Sequence, residues 1–131
     1  MSDELSFEGK TIIYIEDERA VHVATMKLLR RYLPGITISL AESYAAGAVL
    51  LGAAERCDLV ITDGTLPGGH GRELIARFFG ERRCPWIFLT SEADAPDMAQ
   101  FMGHYDNRLL LYGKPILEPR KFIATLAERL K

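Results

Sequence analysis

The sequence predicts an α/β fold in which five parallel strands form one sheet with helices on both faces. Three observations carry this reading. Short apolar or β-branched runs recur five times, near residues 11–15, 36–40, 58–63, 85–90 and 109–112. Each is followed by a stretch whose apolar residues recur at helical spacing. The central run, Leu59-Val60-Ile61, is apolar at every position. That pattern suits a strand buried on both faces, as in the middle of a parallel sheet.

The elements follow in order. Residues 1–10 are polar and read as a lead-in. Thr11-Ile12-Ile13-Tyr14-Ile15 is β-branched and aromatic and ends on Glu16-Asp17-Glu18. A helix over about 19–33 follows, with Val21, Ala24, Leu28 and Tyr32 on one apolar face, and Pro34-Gly35 stops it. Ile36-Thr37-Ile38-Ser39-Leu40 alternates apolar and polar residues, which predicts a less buried, edge strand. A helix rich in Ala and Leu covers about 44–56. After the central strand comes the loop Gly64-Thr65-Leu66-Pro67-Gly68-Gly69. A helix over about 72–81 points Leu74, Ile75, Phe78 and Phe79 inward. Pro85 is acceptable at the first residue of the fourth strand, where no ladder donor is required. The next helix starts near Ala95-Pro96-Asp97, with Met98, Phe101, Met102 and Tyr105 as its stripe. Leu109-Leu110-Leu111-Tyr112 is the fifth strand, and the last helix runs from about 118, with Phe122, Leu126 and Leu130 on one face.

Parallel strands joined this way require right-handed crossovers, which place helices on both faces of the sheet. With the second strand at an edge, the order is 2-1-3-4-5, the flavodoxin-like arrangement.

Composition narrows the function. The chain has 131 residues, 48% hydrophobic and 26% charged, with a net charge of -2. That length fits one domain, and the charge gives no reason to expect direct binding to nucleic acid or membrane. No apolar run approaches the ~18 residues of a membrane span, and the polar start is no signal peptide, so the expected location is cytoplasmic. Cys57 and Cys84 each precede a strand. A disulfide is one reading, and two buried free thiols in a reducing cytosol are the expectation.

The chemistry lies at the carboxyl ends of the strands, where open α/β sheets place their ligand crevice. The first strand delivers Glu16 and Asp17, the third Asp63, the fourth Thr90 and Ser91, the fifth Lys114. Adjacent strands lie ~4.8 Å apart, so these side chains can converge. Three carboxylates in one pocket repel, and a cation would neutralise them. All-oxygen ligands suit Mg²⁺, and Mn²⁺ as a second choice. With Lys114 and a hydroxyl opposite, the set suits a phosphoryl group. Asp63 is the nucleophile such chemistry needs, and the other groups would stabilise charge on the equatorial oxygens.

These residues resemble a response-regulator receiver domain of two-component signalling. The resemblance rests on Glu16-Asp17, on Asp63 with Pro67-Gly68 beyond it, on Thr90-Ser91 and on Lys114-Pro115, and it covers about residues 10–131. It implies that Asp63 is the phosphoacceptor, taking its phosphoryl group from a histidine kinase or a histidine phosphotransfer protein. It implies that Asp17, Glu16, Asp63 and the backbone carbonyl of Thr65 hold Mg²⁺. Thr90 would turn toward the phosphoryl group and Lys114 would pair with it, and the Lys114-Pro115 bond would be cis. Such a domain is a switch, not a turnover enzyme. It acts on an output partner the sequence does not name, and homodimerisation through the output face is one arrangement open to it.

The chain departs from the family pattern at four places. Glu16-Asp17 replaces the common Asp-Asp. Leu111 stands where a Tyr or Phe usually serves as the switch aromatic, and Tyr112 should point to the opposite face. The segment before the fifth strand, His104-Tyr105-Asp106-Asn107-Arg108, lacks the usual Gly-Ala. His70 stands where Asp is frequent. A pseudo-receiver, binding partners without phosphorylation, is therefore the alternative. A flavin carrier on the same fold ranks last, because three acids would repel the flavin phosphate. His22, His70 and His104 have no metal-ligand spacing and read as surface or packing residues. The glycines of residues 64–71 read as turn formers.

Overall fold

The computed structural model describes residues 6–131. Its elements are β1 (Thr11–Ile15), α1 (Arg19–Tyr32), β2 (Thr37–Ala41), α2 (Tyr44–Ala53), β3 (Leu59–Asp63), β4 (Thr65–Leu66), β5 (Gly69–His70), α3 (Gly71–Phe78), β6 (Trp86–Thr90), α4 (Met98–Met102), β7 (Leu109–Gly113) and α5 (Pro119–Arg129). The main sheet has the order β2-β1-β3-β6-β7, and every neighbouring pair in it is parallel. This is the predicted order. The added elements are β4 and β5, a two-residue antiparallel pair inside the glycine-rich loop.

Alternation along each central strand divides the core in two. Ile13, Ile15, Val60, Trp86 and Phe88 face one layer with Leu51, Leu74 and Phe78. Ile12, Tyr14, Leu59, Ile61, Ile87 and Leu89 face the other with Leu29, Phe122 and Leu126. Both faces of β3 and β6 are buried along their whole length, while β2, at the edge, is only partly covered. The strict alternation of the second strand thus reports its position correctly.

Several details differ from the sequence reading. The buried face of α1 carries His22, Thr25 and Leu29, one residue on from the predicted stripe, and Ala24 and Tyr32 are exposed. Two polar residues lie on the buried face, so a count of apolar residues selects the wrong one. His22 is buried and its Nε2 lies 3.0 Å from Glu42 Oε1. Residues 1–5 of the predicted lead-in lie outside the described residues, but Phe7 is buried in the α1/α5 layer, and its N–H donates to the Pro34 carbonyl at 2.8 Å.

Helix α4 is a single turn, closed at Gly103, a residue of low helix propensity. Its stripe still packs. Met98 is buried, the Phe101 ring lies 5.8 Å from Phe88, and Tyr105, beyond the helix, lies 5.1 Å from Phe79. Arg108 explains part of the unusual segment before β7. Its guanidinium donates to the carbonyls of Phe79, Arg82 and Cys84 at 2.9–3.1 Å and lies 3.8 Å over the Phe79 ring. It thereby satisfies carbonyls that the end of α3 leaves without helical partners.

The hairpin between β3 and α3 returns to its starting point. Gly71 N–H donates to Gly64 O at 2.9 Å, and a Cβ on Gly71 would stand 2.0 Å from the Asp63 carbonyl oxygen. That neighbour is backbone and cannot swing away. Gly71→Ala should therefore destabilise the fold by about 3 kcal/mol, whereas Gly80→Ala, where nothing lies within 4 Å of the added carbon, should stay within about 0.5 kcal/mol. Urea denaturation of the two variants checks this, and equal midpoints would refute the contact.

Candidate functional site

Four strands deliver the site at their carboxyl ends, and backbone hydrogen bonds fix where each side chain starts. Glu16 N–H donates to the Ala41 carbonyl at 2.9 Å and Lys114 N–H to the Thr90 carbonyl at 3.0 Å. The ladder is thereby carried past the ends of β1 and β7. Asp63 and Thr90 are the last residues of β3 and β6.

The side chains then converge. Lys114 Nζ lies 2.9 Å from Glu16 Oε1 and 3.0 Å from Asp63 Oδ1. Glu16 is fully buried and Asp63 is 6% exposed. Asp17, half-buried, completes a group of three carboxylates whose oxygens lie within 4.8 Å of one another. Asp63 Oδ1 also accepts the Gly64 N–H at 2.7 Å, and Glu16 Oε2 accepts the Glu18 N–H at 3.2 Å. Among the described residues no hydrogen bond reaches Asp63 Oδ2.

Electrostatics follows from this packing. Burial pushes the Glu16 carboxyl above its ordinary value, and the Asp63 charge adds to the effect against the hydrogen bond from Lys114. Burial alone would pull Lys114 down, but its hydrogen bonds to Glu16 and Asp63 outweigh that and hold it above its ordinary value. One ammonium thus faces three carboxylates. Two like charges at this separation repel by roughly 3 kcal/mol at an effective dielectric of 20. The surplus is negative, and all the side-chain donors are oxygens, so the residues fit a small hard cation such as Mg²⁺ or Mn²⁺.

Thr90 sits beside this group. Its Oγ1 accepts the Glu92 N–H at 3.0 Å and occupies the space that a side chain on residue 64 would fill, since a Cβ on Gly64 would stand 2.4 Å from it. Gly64 therefore serves clearance, not turn geometry, and in this loop Gly68 alone has a positive φ, 88°. The sequence holds no signal for that role, because the crowding comes from β6. Thr65 opens β4 directly after Gly64 and pairs with His70 across the hairpin. The Lys114–Pro115 peptide is cis.

The face beyond the site is arranged as the sequence implied. Leu111 packs with the α2/α3 layer. Tyr112 packs on the other side of the sheet, its ring 5.0 Å from Phe122 and at 89° to it. Tyr112 therefore cannot stand in for an aromatic at position 111. Arg72, at the start of α3, is tied to Asp97 by two hydrogen bonds of 2.8 and 3.1 Å.

Known proteins share this architecture. A receiver domain protein (CheY-like) from Methanospirillum hungatei JF-1 superposes with a TM-score of 0.79 at 23% identity, over 92% of this chain and 93% of that one. The signal receiver domain of an HD domain-containing protein from Pseudomonas fluorescens Pf-5 gives 0.77 at 24% identity, over 92% and 94%. The receiver domain of the hybrid histidine kinase CckA gives 0.71 at 23%, over 92% and 99%. At these identities the likeness establishes the fold. No curated protein matches the sequence. Among the described residues no helix is long and apolar enough to cross a membrane. The family model of the response regulator receiver domain matches residues 12–120. The chain belongs to that family, the receivers of two-component signalling.

Proposed function

We propose that this chain is a phosphorylatable receiver that takes a phosphoryl group from a phosphohistidine onto Asp63 and thereby switches a partner-binding face. The observation that carries this reading is the position of Lys114, whose ammonium touches both Glu16 and Asp63 in a nearly dry pocket. A structural ion pair needs one acid; here one lysine serves two, with a third carboxylate alongside.

Each residue has a chemical task. The Asp63 carboxylate attacks phosphorus, the new O–P bond forms as the P–N bond to the donor imidazole breaks, and the electron pair leaves on the imidazole nitrogen. Oδ1 is held by Gly64 N–H and Lys114, which orients the group, and among the described residues nothing donates to Oδ2. Lys114 is placed to follow the negative charge onto the phosphoryl oxygens, and Thr90 offers a hydroxyl to one of them. Glu16, Asp17 and Asp63, with the Thr65 carbonyl, would hold Mg²⁺, which when bound offsets charge on the transferred group.

The donor would be a histidine kinase or a histidine phosphotransfer protein, and the output partner would read the switched face, with homodimerisation as one form of output. The chain acts once per phosphorylation, as a switch and not as a turnover enzyme. Cytoplasmic location belongs to this proposal.

Two outcomes test it. Incubated with acetyl phosphate and Mg²⁺, the wild-type chain should gain one phosphoryl group in its intact mass, and Asp63→Asn should gain none. An adduct on both would move the acceptor elsewhere. No adduct on either, and none from a phosphohistidine donor protein, would favour the pseudo-receiver, which Leu111 keeps as the second reading.

The charge surplus makes a separate prediction. Asp63→Asn keeps an oxygen for Gly64 N–H and Lys114 but removes one of three crowded negative charges. It should raise the metal-free melting temperature by a few degrees, about 1 kcal/mol. Millimolar Mg²⁺ should stabilise the wild type by about 1.4 kcal/mol per tenfold excess over Kd, and Asp63→Asn by much less. Calorimetric scans with and without the ion decide both points, and a wild type indifferent to Mg²⁺ would sink the acid-pocket account.

A further inference from the structure

The thiols of Cys57 and Cys84 lie at the opposite end of β3 and β6 from Asp63 and Thr90, and the phosphoryl chemistry uses neither. Their Sγ atoms are 3.6 Å apart. Both cysteines are free and only half-buried, not fully buried as the sequence suggested. They stand in the irregular segments that precede β3 and β6, between exposed residues such as Arg56 and Arg83.

We propose that Cys57 and Cys84 form an oxidisable dithiol, a modification site at which a small-molecule disulfide is reduced and an intramolecular cross-link closes between the starts of β3 and β6. Closing the pair requires Sγ–Sγ to fall to about 2.05 Å, a movement of about 1.5 Å. Neither cysteine is within a strand, so side-chain rotation and a small loop shift accomplish it without breaking the ladder. Both cysteines are partly exposed, which places the pair near the surface where a small disulfide can approach it.

The surroundings hold the pair beside two cations. The two thiols share a hydrogen bond, and the Cys57 thiol lies 3.5 Å from the Leu59 carbonyl, to which it can donate. The bond between the thiols holds Cys57 below the ordinary thiol value, and the Arg82 charge lowers it further. The same interaction pushes Cys84 up. Arg82 is fixed by its bonds to the Leu51 and Ala54 carbonyls. Arg108 is fixed by its own three carbonyls, that of Cys84 among them. Neither cation can swing away from the thiols without leaving carbonyls unpaired. Whichever thiol loses its proton attacks first, and the other, 3.6 Å away, resolves.

The chemistry balances with one molecule of disulfide. One thiolate of the pair attacks a sulfur of glutathione disulfide, an S–S bond breaks, and one glutathione thiolate leaves. The other cysteine loses its proton to water and attacks the sulfur of the mixed disulfide, and the second glutathione leaves. Two protein thiols are oxidised and one small disulfide is reduced to two thiols.

The probe is glutathione disulfide, applied to the reduced chain at low protein concentration, followed by alkylation and intact mass. The expected product is a monomer lighter by two hydrogens that takes up no alkylating agent, with one peptide pair joining Cys57 to Cys84. Cys84→Ser should stop at a stable glutathione adduct on Cys57. Cys57→Ser should likewise stop at a stable glutathione adduct, on Cys84. Full double alkylation of the oxidant-treated wild type would overturn the inference, as would disulfide-linked dimers or a persistent glutathione adduct on the wild type. The wild-type result needs no variant to fold, and it does not depend on whether Asp63 accepts a phosphoryl group.

Discussion

The site depends on one long side chain crossing the ends of several strands. Lys114 follows β7, yet its ammonium reaches Asp63 at the end of β3 and Glu16 after β1. In the order β2-β1-β3-β6-β7, two strand spacings separate β7 from β3, roughly 10 Å. Only a flexible, extended cation covers that distance while keeping its stem along apolar neighbours. Glu16 meets it from the other side. The extra methylene of glutamate over aspartate extends the carboxylate toward Lys114, which gives the Glu16-Asp17 variant a physical sense in this chain. The parallel sheet is therefore a condition of the site, because only parallel strands bring four carboxyl ends to one edge.

That arrangement requires backbone clearance as well as side chains. Asp63 can be held close to Thr90 because residue 64 has no side chain, and the hairpin can return against the Asp63 carbonyl because residue 71 has none. Tyr44 packs over the tip of the same hairpin, where a Cβ on Gly69 would collide with its ring, and its N–H donates to the Pro67 carbonyl. The loop after the central carboxylate is thus fixed at its base by Gly64 and Gly71 and at its tip by α2. A carboxylate whose loop moved freely could not keep Oδ1 on both Gly64 N–H and Lys114.

What the sequence revealed and what it concealed divide along physical lines. Strand order and the acid, hydroxyl and lysine positions were legible because residue type and strand-end placement carry them. Fully apolar runs marked β3 and β6, and strict alternation marked β2. The face of α1 was misread because His22 and Thr25 are buried polar residues that no apolar count selects. The clearance at Gly64 and Gly71 was hidden because it is set by atoms from distant elements. The bonds of Arg108 were hidden for the same reason, since its three carbonyls lie 24–29 residues earlier. The strand order put Cys57 and Cys84 before neighbouring strands, but the 3.6 Å approach of their sulfurs was hidden, because side-chain direction in the preceding loops sets it.

The output side shows how a shared fold can hold a different relay. With Leu111 in the α2/α3 layer and Tyr112 turned to the other face, no aromatic of β7 stands beside α4 to follow Thr90. The contacts that do connect Thr90 to α4 run through the segment between them. Thr90 Oγ1 holds the Glu92 N–H, Asp97 at the start of α4 holds Arg72, and Arg72 lies 5.0 Å over the Phe101 ring. Side-chain rotation cannot carry Thr90 Oγ1 to a new partner and keep its present place against Gly64. Any such turn therefore strains the Glu92 bond first, and the next restraint along the chain is an ion pair whose aspartate is largely in water. That pair is a two-bond fork, the geometry in which a partly exposed pair still holds. The one-turn α4 is held by the Arg72–Asp97 fork, by the aromatic contacts of Phe101 and by buried Met98, and those, rather than a tyrosine on β7, set how readily that face rearranges.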